Sequence, residues 1–266
     1  MFVDAGARVI SHARMRVASL HRYPVKGLSP EPLLSAMLTA GDYFPGDRLY
    51  AVENGPSGFD PDNPVHQPKI KFLMLMRDES LARLKTSYDD ASRTLTITRE
   101  GRVAARGDLS TEGGRESIAG FLGRFIGDRM RGPARTLAAP AGYRFTDSRR
   151  GFVSLINLAS VAALEPLVNA PVDPLRFRGN IYIEGLEAWR ELDLVDATLA
   201  IGKTARLKIL KRIERCAATN VDPETGARDL SIPRVLMQAF NHTDCGVYAD
   251  VIAGGEVKPG DSVSLS

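Results

Sequence analysis

The chain has 266 residues, 44% of them hydrophobic and 25% charged, an ordinary globular composition with room for one large core or two modest ones. A net charge of +3 is too small to argue for nucleic acid, and the longest apolar clusters, such as "FLMLM" (Phe72–Met76), are strand-sized. No membrane span is therefore expected, and since "MFVDAGARVISHARM" lacks the apolar core of a signal peptide, a cytoplasmic location is.

In chain order, residues 15–30 read as a β-branched and aromatic strand closed by Pro24. Residues 33–55 read as strand, "PGD" turn, strand. "KIKFLMLM" (69–76) reads as a buried strand, followed by a short helix from about Asp78 to Lys85. "RTLTITREGRVAAR" alternates like a hairpin turning at Glu100-Gly101. Ile118, Phe121, Leu122 and Phe125 fall at helical spacing behind Thr111, a plausible cap. The stretch 131–151 is rich in Arg, Pro and Gly and aperiodic, and it marks the junction between domains spanning 15–130 and 131–266.

The second half opens with a strand, "GFVSLIN", and a helix over 158–168 capped by Asn157. "PVDPLRFRGNIYIEG" is an extended segment entering a strand. "ATLAIGKTARLKILKRIERC" makes two strands about Gly202-Lys203, with Cys216 ending the second. A short helix follows at 231–240, with Ser231 capping and Pro233 in its first turn, and the chain closes in strands around another "PGD" turn. Many short strands with few short helices predict a mainly β (α+β) protein of barrel-like domains.

Chemistry concentrates around Cys216. It is preceded by Lys211, Arg212 and Arg215, a setting that favours the thiolate. It could be packing, a nucleophile or a metal ligand. The four histidines (His12, His21, His66, His242) form no recognisable partner motif, which ranks ligation above nucleophilic attack. Cys245 looks structural. Arg176 and Arg178, one residue apart, would share a face of an extended chain and suit a phosphate. "YPVKG" (23–27) aims a lysine out of a turn, and "FTDSRRGF" (145–152) is a polar loop before a strand.

"YPVKG", "FRGN", "RCAATNVDPETG" and "VKPGDSV", in that order and spacing, resemble the MOSC family, in the branch with an N-terminal β-barrel domain. That branch includes the mitochondrial amidoxime-reducing component and its bacterial relatives. The resemblance implies a MOSC-type β-barrel preceded by an N-terminal β-barrel-like domain. It also implies a molybdenum cofactor (molybdenum with molybdopterin), with Cys216 ligating the metal as a soft thiolate and serving as the catalytic residue. Lys26, Arg48 and Arg178 would hold the pterin phosphate, while Asp147, Ser148, Asn180 and Arg215 would contact the pterin or its phosphate. The implied activity is reduction of N-hydroxylated compounds; a carrier of sulfurated cofactor is the alternative. Amidoxime reducers typically show "YPVKS", "FRPN" and "SRC", where this chain has Gly27, Gly179 and Glu214. Glu214 would repel a phosphate unless Arg212 or Arg215 neutralises it. Two cysteines are too few for a four-cysteine iron–sulfur cluster, and the chain stops after "VKPGDSVSLS". Electrons are therefore expected from a separate acidic redox protein such as a ferredoxin or flavodoxin.

Overall fold

The computed structural model describes residues 14–150 and 152–266; the signal-peptide reading and His12 fall on 1–13, outside the described residues except for the last two positions of that reading. The elements run β1 (Arg16–Arg22), β2 (Glu31–Leu33), β3 (Ala36–Leu38), β4 (Tyr50–Val52), β5 (Leu84–Asp89), β6 (Thr94–Arg99), β7 (Arg102–Asp108) and α1 (Glu112–Ile126). They continue with β8 (Thr136–Ala138), β9 (Val153–Asn157), α2 (Leu158–Ala162), α3 (Glu165–Val168), β10 (Ile181–Glu184), β11 (Thr198–Ile201) and β12 (Ala205–Glu214). The last are α4 (Ile232–Phe240), β13 (Asp244–Ala253), β14 (Gly255–Val257) and β15 (Val263–Leu265).

Eight strands form the main sheet in the order β15-β11-β12-β13-β9-β10-β1-β2. The sheet curls back on itself: Arg16 bridges Ser262, Val17 N–H donates to Asp261 O, and Val263 N–H donates to Met15 O. Alternate side chains of these strands, including Val17, Leu155, Ile183, Leu207 and Val247, fill the enclosed core. Cys245 belongs to a second cluster on the outer face, where α2 and α4 cover Ile156 and Tyr182. The N-terminal half has its own core, in which α1 packs Ile118 and Leu122 on the β5-β6-β7 sheet.

The halves are interleaved. β1 pairs with β10, β3 pairs with β14, and β8 pairs back to β4. Strands on both sides of residue 131 thus share ladders, and the floor between the halves is built by both.

Local expectations are met where short-range chemistry decides. Glu100 and Gly101 both take positive φ, 52° and 75°, the conformation a tight two-residue hairpin turn needs. Thr111 caps α1 by accepting from Gly114 N–H at 3.1 Å, and Asn157 caps α2 by accepting from Ala159 N–H.

Elsewhere the structure differs. "KIKFLMLM" is not a strand: Pro68 opens a 3₁₀ turn at Lys69–Lys71, and only Phe72 makes a bridge, to Glu53. The helix expected at 78–85 is a 3₁₀ turn, Glu79–Arg83, running straight into β5. The helix over 158–168 splits in two because Pro166 has no N–H to continue it. Ser231 makes no side-chain cap; Asn220 Oδ1 accepts from Ile232 N–H at 2.9 Å instead.

Candidate functional site

A cleft of 460 Å³ opens where the end of β12 meets the turn after β1 and the 69–76 segment. All eight residues singled out from the sequence (Lys26, Arg48, Asp147, Ser148, Arg178, Asn180, Arg215, Cys216) line it. Its walls carry eight cationic side chains against three carboxylates, Asp47, Asp147 and Glu214. Field lines from so many like charges, concentrated by low-dielectric walls, favour an anion there.

Arg48 and Arg178 are set by their backbones, both at positive φ (47° and 51°). Their guanidinium groups lie over the buried ring of Tyr23, at 4.5 and 4.2 Å from its centroid. Cation–π contact lets two like charges sit close together. Arg48 also pairs with buried Asp47, and Arg178 Nη1 donates to Leu28 O at 2.9 Å. Neither Nε nor Nη2 of Arg178 bonds to a described residue, which leaves these donors for a ligand.

Lys26 is buried and its ammonium donates to Phe145 O at 2.9 Å and to Asp147 Oδ1. Burial pushes its pKa down, against the pull of Asp147. Asp147 is half-exposed; the surrounding walls work against its charge, but Lys26 beside it, with Lys69 and Arg48 behind, holds the carboxyl down to about 2. Lys26 and Asp147 thus face each other as a salt bridge, with two of the three ammonium donors engaged among the described residues.

Cys216 lies two residues beyond β12, at the head of a 3₁₀ turn over Ala217–Asn220, and its thiol is a partly exposed free one. Thr219 fixes the turn by donating from N and Oγ1 to Cys216 O, at 3.1 and 3.0 Å. Lys69 from the opposite wall is a functional candidate missed in the sequence. Partial burial works against its charge, yet Cys216 and Asp147 nearby raise its pKa above the ordinary lysine value. The signal was Pro68, which turns "KIK" into a 3₁₀ corner aimed at the cleft rather than a strand.

In three more of the eight the polar atoms are committed to the surrounding wall. Arg215 donates to Cys245 O from Nε at 2.7 Å and to Phe177 O from Nη1 at 2.8 Å. Asn180 Oδ1 accepts from Ser154 N and Oγ while its Nδ2 donates to His21 O. Ser148 Oγ donates to Arg150 O within its own loop. These act as struts for the cleft wall.

Arg176 corrects the expectation that it shares a face with Arg178. The segment before β10 is a 3₁₀ turn, Pro174–Phe177, not an extended chain. It buries Arg176, which pairs with Asp222 at 3.1 Å and Asp229 at 2.8 Å. Glu214 is exposed at the cleft; Arg212 reaches Asp193 and Asp244 instead, and Arg215 is spent on carbonyls. His66 sits on a neighbouring cleft.

Residues 142–264 match the MOSC domain family and residues 14–123 match the MOSC N-terminal beta barrel domain family. The chain is 32% identical over 123 residues to mitochondrial amidoxime reducing component 2 of Bos taurus, covering 42% of this chain and 36% of that protein. The counterpart from Rattus norvegicus is 31% identical over the same length. The aligned part spans about a third of these curated relatives' length. Among solved structures, the YuaD protein from Bacillus subtilis aligns over 94% of this chain and 93% of its own, with a TM-score of 0.44 and 10% identity. YiiM from Geobacillus stearothermophilus aligns over 44% of this chain and 54% of its own, with a TM-score of 0.34 and 18% identity. With the two domain matches taking in nearly all of the sequence, the chain belongs to the MOSC family, in its form with an N-terminal β-barrel domain.

Proposed function

We propose that the cleft binds a molybdenum cofactor and that the chain reduces N-hydroxylated compounds with electrons from a separate redox protein. The observation that carries this reading is the meeting of a partly exposed thiol with convergent cations from three distant segments, at Lys26, Arg48 and Arg178.

The donor set fits that group. Among the described residues no three His, Cys, Asp or Glu side chains gather as a metal cage. A metal held here through Cys216 alone must bring further ligands with it, as a metal on a pterin dithiolene does, and thiolate is the matching soft donor. Arg178 keeps free donors and Lys26 keeps one N–H, which suits a phosphate. When bound, the group supplies two-electron redox chemistry. The overall reaction takes an N-hydroxylated substrate, two electrons and two protons to the corresponding N–H compound and water, the N–O bond being the one that breaks. Cys216 would hold the metal end and the Tyr23-backed arginines the phosphate end. Lys69, between Cys216 and Asp147, would face the substrate.

The test is molybdenum and pterin content of the purified chain. Turnover of an amidoxime is then measured with NAD(P)H alone, with an artificial donor, and with a ferredoxin or flavodoxin and its reductase. Cofactor with donor-dependent turnover is expected. Cofactor without turnover under any donor would favour a carrier, and robust turnover with NAD(P)H alone would refute the separate donor.

A further inference from the structure

A second cleft, of 340 Å³, adjoins the first and shares Thr146, Ser148 and Phe152 with it. Its character is different. Its walls present the rings of Tyr43, Tyr143 and Phe152 together with Arg144, Arg149 and His66, and among the described residues hold no carboxylate. Tyr43 and Phe152 stack with centroids 4.0 Å apart and planes 30° apart, and the Arg144 guanidinium lies 5.3 Å from the Tyr43 centroid. His66 Nε2 and Arg144 Nε are enclosed without a partner among the described residues. Enclosed polar atoms are normally satisfied, so this pair marks incomplete hydrogen bonding at the wall of a cavity.

We propose that this second cleft recognises the non-reacting part of the substrate, and that it takes a planar aromatic group bearing an anionic substituent. The proposal rests on the reading of the first cleft as the reaction site. The stacked rings offer a face for another ring, since offset π-stacking is favourable at such spacings. Arg144 and Arg149 supply the positive charge, and Asp42 and Asp147 stand behind the cleft rather than among its described lining residues. The shared wall at Thr146–Phe152 lets one molecule reach from the aromatic cleft towards Cys216.

The experiment measures equilibrium binding of 2-naphthoate, which carries no reducible N–O bond, to the purified chain by its fluorescence. The neutral 2-naphthalenemethanol is the comparison, and the variants are Arg144→Gln, Tyr43→Leu and Arg178→Gln, with melting temperatures confirming that each folds. The expected result is preference for the anion over the alcohol, lost in Arg144→Gln with roughly tenfold weaker binding. Tyr43→Leu should weaken both probes, and Arg178→Gln should weaken neither. Absence of binding, equal binding of both probes, or weakening only in Arg178→Gln would overturn the proposal; the last places the probe in the first cleft. Turnover adds a separate arm: KM for an N-hydroxylated aryl carboxylate should rise in Arg144→Gln while kcat holds. Loss of all turnover with naphthoate binding intact would fault the reductase reading and leave the aromatic-anion site standing.

Discussion

Gly27 sits in the turn after β1 where no side chain fits, and placing a serine there should damage this protein. Two costs are legible. Gly27 holds φ at +84°, where a side chain costs roughly 1–2 kcal/mol. An added Cβ would also lie 2.7 Å from Leu73 O, in a backbone held in place by Leu73 N–H donating to Val52 O at 2.8 Å. Relieving such overlap in a packed region costs roughly 1–3 kcal/mol. Gly27→Ser and Gly27→Ala should therefore lose about 2–5 kcal/mol, or roughly 5–15 °C in melting temperature for a chain of this size. Gly41 is the internal control, with φ of +75° and open space around its Cβ position. Gly41→Ala should show the conformational cost alone, a shift of only a few degrees. Differential scanning calorimetry of the three variants separates the terms. Equal shifts at Gly27 and Gly41 would refute the claim that the Leu73 carbonyl excludes a side chain.

Cys216→Ser should lose most of the bound molybdenum while remaining folded. Cys245→Ser should keep it, and iodoacetamide should modify Cys216 far faster because burial pushes the Cys245 thiol up to about 12; elemental analysis and peptide mass mapping read both. Arg178→Gln should weaken pterin affinity roughly ten- to a hundredfold with little change in melting temperature. Arg176→Ala should do the reverse, costing about 1.5–3 kcal/mol by removing charge-assisted bonds to the partly exposed Asp222 and Asp229. The Asp147 carboxyl is held at about 2 in the fold against an ordinary 3.8. Its contribution to stability is complete above about pH 4 and lost as pH falls towards 2, so Asp147→Asn should flatten that acid limb in denaturant titrations.

The strands that alternate cleanly, and the turns with Gly or Asn at the required positions, were legible in the sequence because a local rule decides them. The hairpin at Glu100-Gly101 and the caps at Thr111 and Asn157 are of this kind. What was illegible depends on partners far away. "FLMLM" looked like a strand because its side chains are buried, and Phe72, Leu73 and Met74 are. Their backbone pairs only in fragments, so burial was read correctly and geometry was not. The interleaving of the halves through β1, β3 and β8 leaves no compositional trace at all.

The arginines carry the same lesson into the site. Arg176 and Arg178 differ in sequence by two positions and in role entirely. Pro174 starts a 3₁₀ turn that points Arg176 inward to two aspartates, and the left-handed residue ending that turn swings Arg178 over Tyr23. Asp222 and Asp229 lie in the loop after Cys216, so Arg176 fastens the loop that follows the thiol. Arg228 fastens the same loop to the other half, donating to Ala217 O at 3.2 Å and to Met76 O at 2.6 Å. The cationic stretches that a sequence reading gathers onto one anion thus divide their labour. Lys26, Arg48 and Arg178 face the cleft, while Arg176, Arg215 and Arg228 hold the walls that put a thiol opposite them. Only the backbone turn, and not the spacing of the charges, decides which arginine belongs to which group.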